Sequence, residues 1–147
     1  MNYSIVLNKG FRMDSNNTFV TLGMSKPEVH AALNMQPSFL LDTMEYYENF
    51  RVDYDSNDIA VAFEFFSNSN LYIKSEKFCT LEKRNLFTIP FEEMNTILEG
   101  LDPQVRISNS GVISLEYGIG TYLEDSDDIV CETIIIFQKG YYDSLGW

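Results

Sequence analysis

Residues 58–66 read Asp58-Ile59-Ala60-Val61-Ala62-Phe63-Glu64-Phe65-Phe66, with Ile59, Val61, Phe63 and Phe65 at every second position and Ala60, Ala62 and Glu64 between them. Side chains alternate across a pleated strand, and β-branched and aromatic residues suit a half-buried sheet surface. The period therefore predicts a central strand with one core face. Polar turn residues bracket it, Ser56-Asn57-Asp58 before and Ser67-Asn68-Ser69-Asn70 after. Short hairpins to strands over 48–55 and 71–78 are the expected pairing.

The clearest helix signal lies upstream. Ser25-Lys26-Pro27-Glu28 has the form of a capping box, in which the Ser25 hydroxyl accepts from the Glu28 N–H and the Glu28 carboxylate accepts from the Ser25 N–H. Met24 and Val29 stand at staple positions, and Pro27 falls in the first turn, where its missing N–H loses nothing. Asn34 suits a left-handed C-cap, so the helix is predicted over 26–33, with Val29, Ala32 and Leu33 as its apolar stripe. A second helix is expected over 91–99, opened by Thr88-Ile89-Pro90, striped by Phe91, Met94, Ile97 and Leu98, and ended by Gly100. Glu92 and Glu93 in its first turn favour the helix dipole.

The other strands are predicted at 3–7, 18–22, 104–108, 111–117, 121–123 and 129–137, with 39–49 as a loop or short helix and 124–128 as an acidic turn. The aromatic tail 140–147 is expected to pack back on the sheet. Strands adjacent in sequence give an α+β fold, mainly antiparallel sheet with two short helices packed on one face, in one domain spanning 1–147. The expected core includes Ile59, Val61, Phe63, Phe65, Met94, Ile97, Leu98, Ile134 and Ile136. Val61-Ala62-Phe63-Glu64-Phe65 and Ile113-Ser114-Leu115-Glu116-Tyr117 match in type at each position. Either a duplicated helix-then-strands unit or similar structural demands would produce that match.

Composition narrows the function. The net charge of −12 argues against nucleic acid and against an anionic membrane surface, both of which call for a basic footprint. The excess is local: 42–64 carries Asp42, Glu45, Glu48, Asp53, Asp55, Asp58 and Glu64 against Arg51 alone, and 116–132 carries Glu116, Glu124, Asp125, Asp127, Asp128 and Glu132 with no base. No basic, apolar leader opens the chain and no apolar run approaches a bilayer span, so a cytoplasmic location is expected. Cys79 and Cys131 have no paired spacing and read as core thiols.

Sites of chemistry are few. Asp53-x-Asp55-x-Asn57 with Glu64 twelfth mimics a calcium loop, but Asp58 stands where its glycine belongs and a strand pattern follows where a helix should. No metal site is expected, and no cofactor. His30 is the only histidine, which removes every arrangement needing two. Glu64 and Glu116 would pair like glycosidase carboxylates only if the halves are related. Gly118-Ile119-Gly120 precedes no helix signal. No catalytic residue is assigned, and the expectation is a non-enzymatic acidic protein that binds a basic partner. An enzyme or small-molecule-binding domain with a pocket between sheet and helices, or a plain interaction module, is the alternative. The expected partner face combines Asp53, Asp55, Glu124, Asp125, Asp127 and Asp128 with Tyr54, Tyr117 and Tyr122 as aromatic anchors, provided the two acidic segments converge.

Leu22-Gly23-Met24-Ser25-Lys26-Pro27-Glu28-Val29, with Ala32-Leu33-Asn34 and Pro37, resembles the helix-opening motif of the β-lactamase-inhibitor and outer-membrane-assembly lipoprotein superfamily. That resemblance implies a helix-and-sheet unit used as a binding surface. The chain departs from it at Leu33-Asn34-Met35-Gln36-Pro37, where the family has Leu-Gly-x-Pro, and has no signal or lipid-bearing cysteine ahead of the motif. In size, acidity and mixed architecture the chain is also similar to bacterial immunity proteins of polymorphic-toxin and contact-dependent growth-inhibition systems. That likeness implies a toxin nuclease as the basic partner, since nucleases are basic where they hold phosphates.

Overall fold

The structure, a computed structural model, describes residues 1–125 and 127–142. Its elements run β1 (Asn2–Val6), β2 (Gly10–Met13), β3 (Thr18–Thr21), α1 (Lys26–Leu33), β4 (Phe39–Leu41), β5 (Met44–Tyr46), β6 (Phe50–Tyr54), β7 (Ala60–Phe66), β8 (Asn70–Ile73), α2 (Phe91–Leu101), β9 (Arg106–Ile107), β10 (Gly111–Ser114), β11 (Ile119–Tyr122) and β12 (Thr133–Phe137). Two short 3-10 segments, Glu76–Leu81 and Leu86–Thr88, lie between β8 and α2. The fold is α+β, with two sheets, β3-β2-β1-β8 and β4-β5-β6-β7-β12-β11-β10-β9, in which only the β1–β8 pair is parallel.

The residues around 58–66 form the middle of the larger sheet. β7 pairs with β6 through the expected hairpin, but its other neighbour is β12, with Phe63 opposite Ile136 and Phe65 opposite Ile134. The predicted partner at 71–78 is displaced. Its first residues become β8, which crosses to the second sheet beside β1, and its last enter a 3-10 segment. Leu71 and Ile73 are thereby buried with Tyr3 and Ile5, a longer-range packing that outweighs the nearby turn.

Alternation along β7 is broken once. Asp53 faces Ala62 while Tyr54 faces Ala60, so Val61 is an extra residue in a β-bulge. The inserted residue shifts the pleat. Ala60, Phe63 and Phe65 reach the main core, while Ile59 and Val61, expected there, are half-buried. Met94, Leu98, Ile134 and Ile136 are buried as expected, and Ile97 packs at the margin.

One aromatic cluster joins the two sheets. The Phe11 ring meets Phe63 and Phe65 edge-on at 5.0 Å each, and Tyr3 meets Phe50 at 5.6 Å. Both helices cover the same face, Val29 and Leu33 from α1 and Met94 and Leu98 from α2.

The α1 capping box is complete: Ser25 Oγ accepts from Glu28 N at 3.4 Å, Glu28 Oε1 accepts from Ser25 N at 3.0 Å, and Asn34 closes the helix at φ 50°. α2 differs from its prediction. Thr88 lies in a 3-10 turn and donates to the Asn85 carbonyl, while the Phe91 N–H at the helix start donates to the Ile129 carbonyl at 2.7 Å. A distant loop thus takes the role assigned to Thr88, and Gly100 is passed rather than used as a stop.

Segment 39–49 contains the β4–β5 hairpin, not a helix. β2 was not predicted, since its alternation spans only Phe11, Arg12 and Met13; Gly10, at φ 151°, permits its pairing with β3, because a Cβ there would lie 2.1 Å from the Val20 carbonyl oxygen. The matched pentapeptides are not equivalent. Val61 to Phe65 lie within β7, whereas β10 ends at Ser114 and Leu115 to Tyr117 form a turn. No helix among the described residues is long and apolar enough to cross a membrane.

Candidate functional site

Asp53 and Asp55 do not converge with the carboxylates of 124–128. The turn Asp55 to Asp58 joins β6 to β7 at one end of the larger sheet. β12 runs antiparallel to β7 with Thr133 opposite Phe66, so the Glu124 to Asp128 loop that leads into β12 lies at the other end. Seven residues of β7 separate them, roughly 20 Å at the rise of a strand. Direction of pairing, which charge spacing does not encode, decides this.

Three carboxylates of the first segment, Glu45, Asp53 and Glu64, are spent inside the protein. Alternation along β6 sends Phe50, Val52 and Tyr54 into the core and Arg51 and Asp53 to the opposite face. There Arg51 Nε lies 2.7 Å from Asp53 Oδ1 and its Nη2 lies 2.6 Å from Glu64 Oε2. Tyr141 donates to Asp53 Oδ2 at 2.9 Å, which pins the start of the C-terminal tail. Burial raises the Glu64 carboxyl above its usual range despite the opposing guanidinium. Asp53, expected on the partner face, is therefore buried and committed. Asp55 Oδ1 accepts from Asn57 N at 2.8 Å and Ile59 N at 3.0 Å, the local bonding of an Asx turn. The calcium-like spacing thus resolves into a turn and an ion-pair network. No group of three or more His, Cys, Asp or Glu among the described residues is placed to hold a metal ion.

The tyrosine anchors are corrected in the same way. Tyr54 is buried on the core face, and its hydroxyl donates to the buried Glu45 carboxylate at 2.7 Å. Tyr47 donates to the same group at 3.4 Å, and His30 Nε2 approaches it at 2.8 Å. Burial first, then Glu45, push both phenols upward. Tyr117 is buried against Phe78 and donates to the Leu101 carbonyl. Tyr122 is half-buried, with its ring over Gly111 and its hydroxyl bonded to that of Tyr142. These rings are amphipathic, and within a sheet both parts are satisfied internally. Of the tail, Tyr141 and Tyr142 pack on this face with Phe137; residues 143–147 lie outside the described residues.

What remains open is the second acidic segment. Glu124, Asp125 and Asp127 are exposed and Asp128 is half-buried, and none forms an ion pair among the described residues. Backbone bonds shape the loop: Asp125 N donates to Asp128 Oδ2 and Asp127 N to Asp125 Oδ1, each at 3.1 Å. The loop, the first turn of α2 and the β9–β10 turn enclose a cleft of about 680 Å³. Asp127, Asp128 and Glu92 give it charge, while Ile129, 72% exposed, and Ile107, 44% exposed, supply apolar surface. Neither isoleucine was marked by sequence, since a single exposed apolar residue has no periodicity to reveal it.

No protein-family model matches this chain, and comparison with curated proteins and with solved structures found no match.

Proposed function

We propose that this protein is a non-enzymatic acidic binding protein that neutralises a basic partner, a toxin nuclease domain, by occluding its surface. One observation carries the reading: the carboxylates of 124–128 have no ion-pair partner among the described residues, and two of them, Asp127 and Asp128, border a cleft with two exposed isoleucines. Charges of this kind steer a basic protein and raise its association rate, while apolar side chains that lose water on contact hold the complex. The anchoring role expected of Tyr54, Tyr117 and Tyr122 passes to Ile107 and Ile129.

The test begins with the product of the adjacent reading frame. Its basic C-terminal domain is expressed with and without this protein, and nuclease activity and binding are measured as salt is raised. The reading expects stoichiometric inhibition that weakens with salt. A neighbouring gene for a metabolic enzyme, together with no binding to basic nuclease domains at low salt, would overturn it.

A further inference from the structure

The smaller sheet buries Tyr3 and Ile5 of β1 and Leu71 and Ile73 of β8, so the residues between them point to its outer face. There Ser4 lies opposite Tyr72 and Asn2 opposite Asn70, and Lys74 follows at the end of β8. With the turn at Glu82 and Lys83 these residues line a cleft of about 520 Å³. Its floor is committed internally. Ser4, 2% exposed, donates to Asp14 Oδ1 at 2.9 Å, and Arg12 Nη2 pairs with the same oxygen at 3.0 Å. Asn2 Oδ1 accepts from Asn70 Nδ2 at 3.0 Å.

What the cleft leaves unused is nearly all donor. Lys74 Nζ, Lys83 Nζ, the Asn2 amide nitrogen and the Tyr72 hydroxyl have no partner among the described residues, and Glu82 is the one lining carboxylate without an ion pair. Arg12 offsets Asp14, so two ammoniums against Glu82 leave the cleft locally positive in a chain that carries −12.

Lys83 holds its place at a cost. Arg84 N donates to the Leu81 carbonyl at 3.1 Å, closing a turn in which Glu82 has φ −57° and ψ 134° and Lys83 has φ 62°. That is type II geometry, whose third position suits glycine or asparagine. Every other non-glycine residue at positive φ among the described residues is Asn or Asp, whose short polar side chains ease that conformation. A lysine has no such relief, and backbone strain of this kind accompanies binding positions.

We propose that this cleft binds the oxyanion of a small organic acid, a phosphate monoester or a carboxylate, with Lys74 and Lys83 on its charged oxygens and Tyr72 and Asn2 donating beside them. Glu82 and the overall charge oppose the anion, so binding is weak and depends on both lysines. The site is separate from the 124–128 loop, and neither reading rests on the other.

Titration of the full chain at constant ionic strength, followed by amide chemical shifts, tests this with glycerol phosphate, glycerate and glycerol. Saturable shifts at 2–4, 72–74 and 82–84 are expected with at least one of the two anions and none with glycerol; the anion that saturates at the lower concentration identifies the class. Lys74→Gln and Lys83→Gly should each raise the dissociation constant at least about fivefold, and Glu82→Gln should lower it. Lys83→Gly should hold or raise the thermal midpoint, because glycine accepts the positive φ, so its weaker binding is not a folding defect. Lys139→Gln, at a lysine outside the cleft, should leave the constant unchanged. No saturation by either anion up to about 10 mM, equal shifts with glycerol, or constants unchanged in both lysine variants would overturn the proposal.

Discussion

The Tyr54 hydroxyl donates to Glu45 at 2.7 Å across two neighbouring strands, with the carboxylate all but removed from solvent. Tyr47 and His30 complete its shell, so an acidic residue of a strongly acidic chain serves the interior. Removing the phenol leaves a buried carboxylate short of a donor, and Tyr54→Phe should destabilise the protein by about 1–3 kcal/mol. Urea denaturation measures this. A change within experimental error would show that Tyr54 is held by packing alone.

Phe63 is fully buried where the two sheets meet, edge-on to Phe11. Phe63→Ala removes apolar burial and leaves a cavity, with an expected loss of about 3–5 kcal/mol. Chemical denaturation of the variant would measure it, and a loss below about 1 kcal/mol would contradict the packing described here.

Stability should fall in alkali, and the sign follows from burial. Burial pushes the Cys131 thiol from 9.0 up to about 11, and burial followed by Glu48 pushes the Tyr3 phenol from 10.0 up to about 12. The folded chain keeps protons that the unfolded chain has released, so these groups support folding fully below their unfolded values and lose that support as pH rises through the folded ones. Denaturation midpoints should drop between pH 9 and about 11 from the thiol, and between 10 and about 12 from the phenol. Cys131→Ala should flatten the first part of that profile, and an unchanged slope would remove the thiol as its source.

For the proposed partner, reversing Asp125, Asp127 and Asp128 to lysine should slow association and flatten its salt dependence, whereas Ile129→Ala should chiefly speed dissociation. Stopped-flow binding separates the two. An unchanged association rate and salt slope in the triple variant would take the loop out of the interface and leave the end that carries Asp42, Asp55 and Asp58 as the acidic candidate.

What the chain determines locally was legible from its order of residues. The capping box of α1 needs only Ser25 and Glu28 and formed as read, because its bonds span a single turn. The β6–β7 hairpin likewise needed only a polar turn between apolar runs. Parity along β6, read to its end, already places Tyr54 with Phe50 and Val52 and Asp53 with Arg51; the partner-face assignment overrode that signal. The second neighbour of β7, the crossing of β8 to β1 and the backbone partner of the α2 N-terminus lie outside any local window. They are chosen by which distant apolar faces fit together once the chain collapses. Antiparallel pairing of β7 with β12 then carries the Asp55–Asp58 turn and the 124–128 loop to opposite ends, while Asp53 and Glu64 are locked around Arg51 and Glu45 is buried beside Tyr54. Charge and composition determined that the surface is acidic, but only the direction of the strands decided which carboxylates remain available.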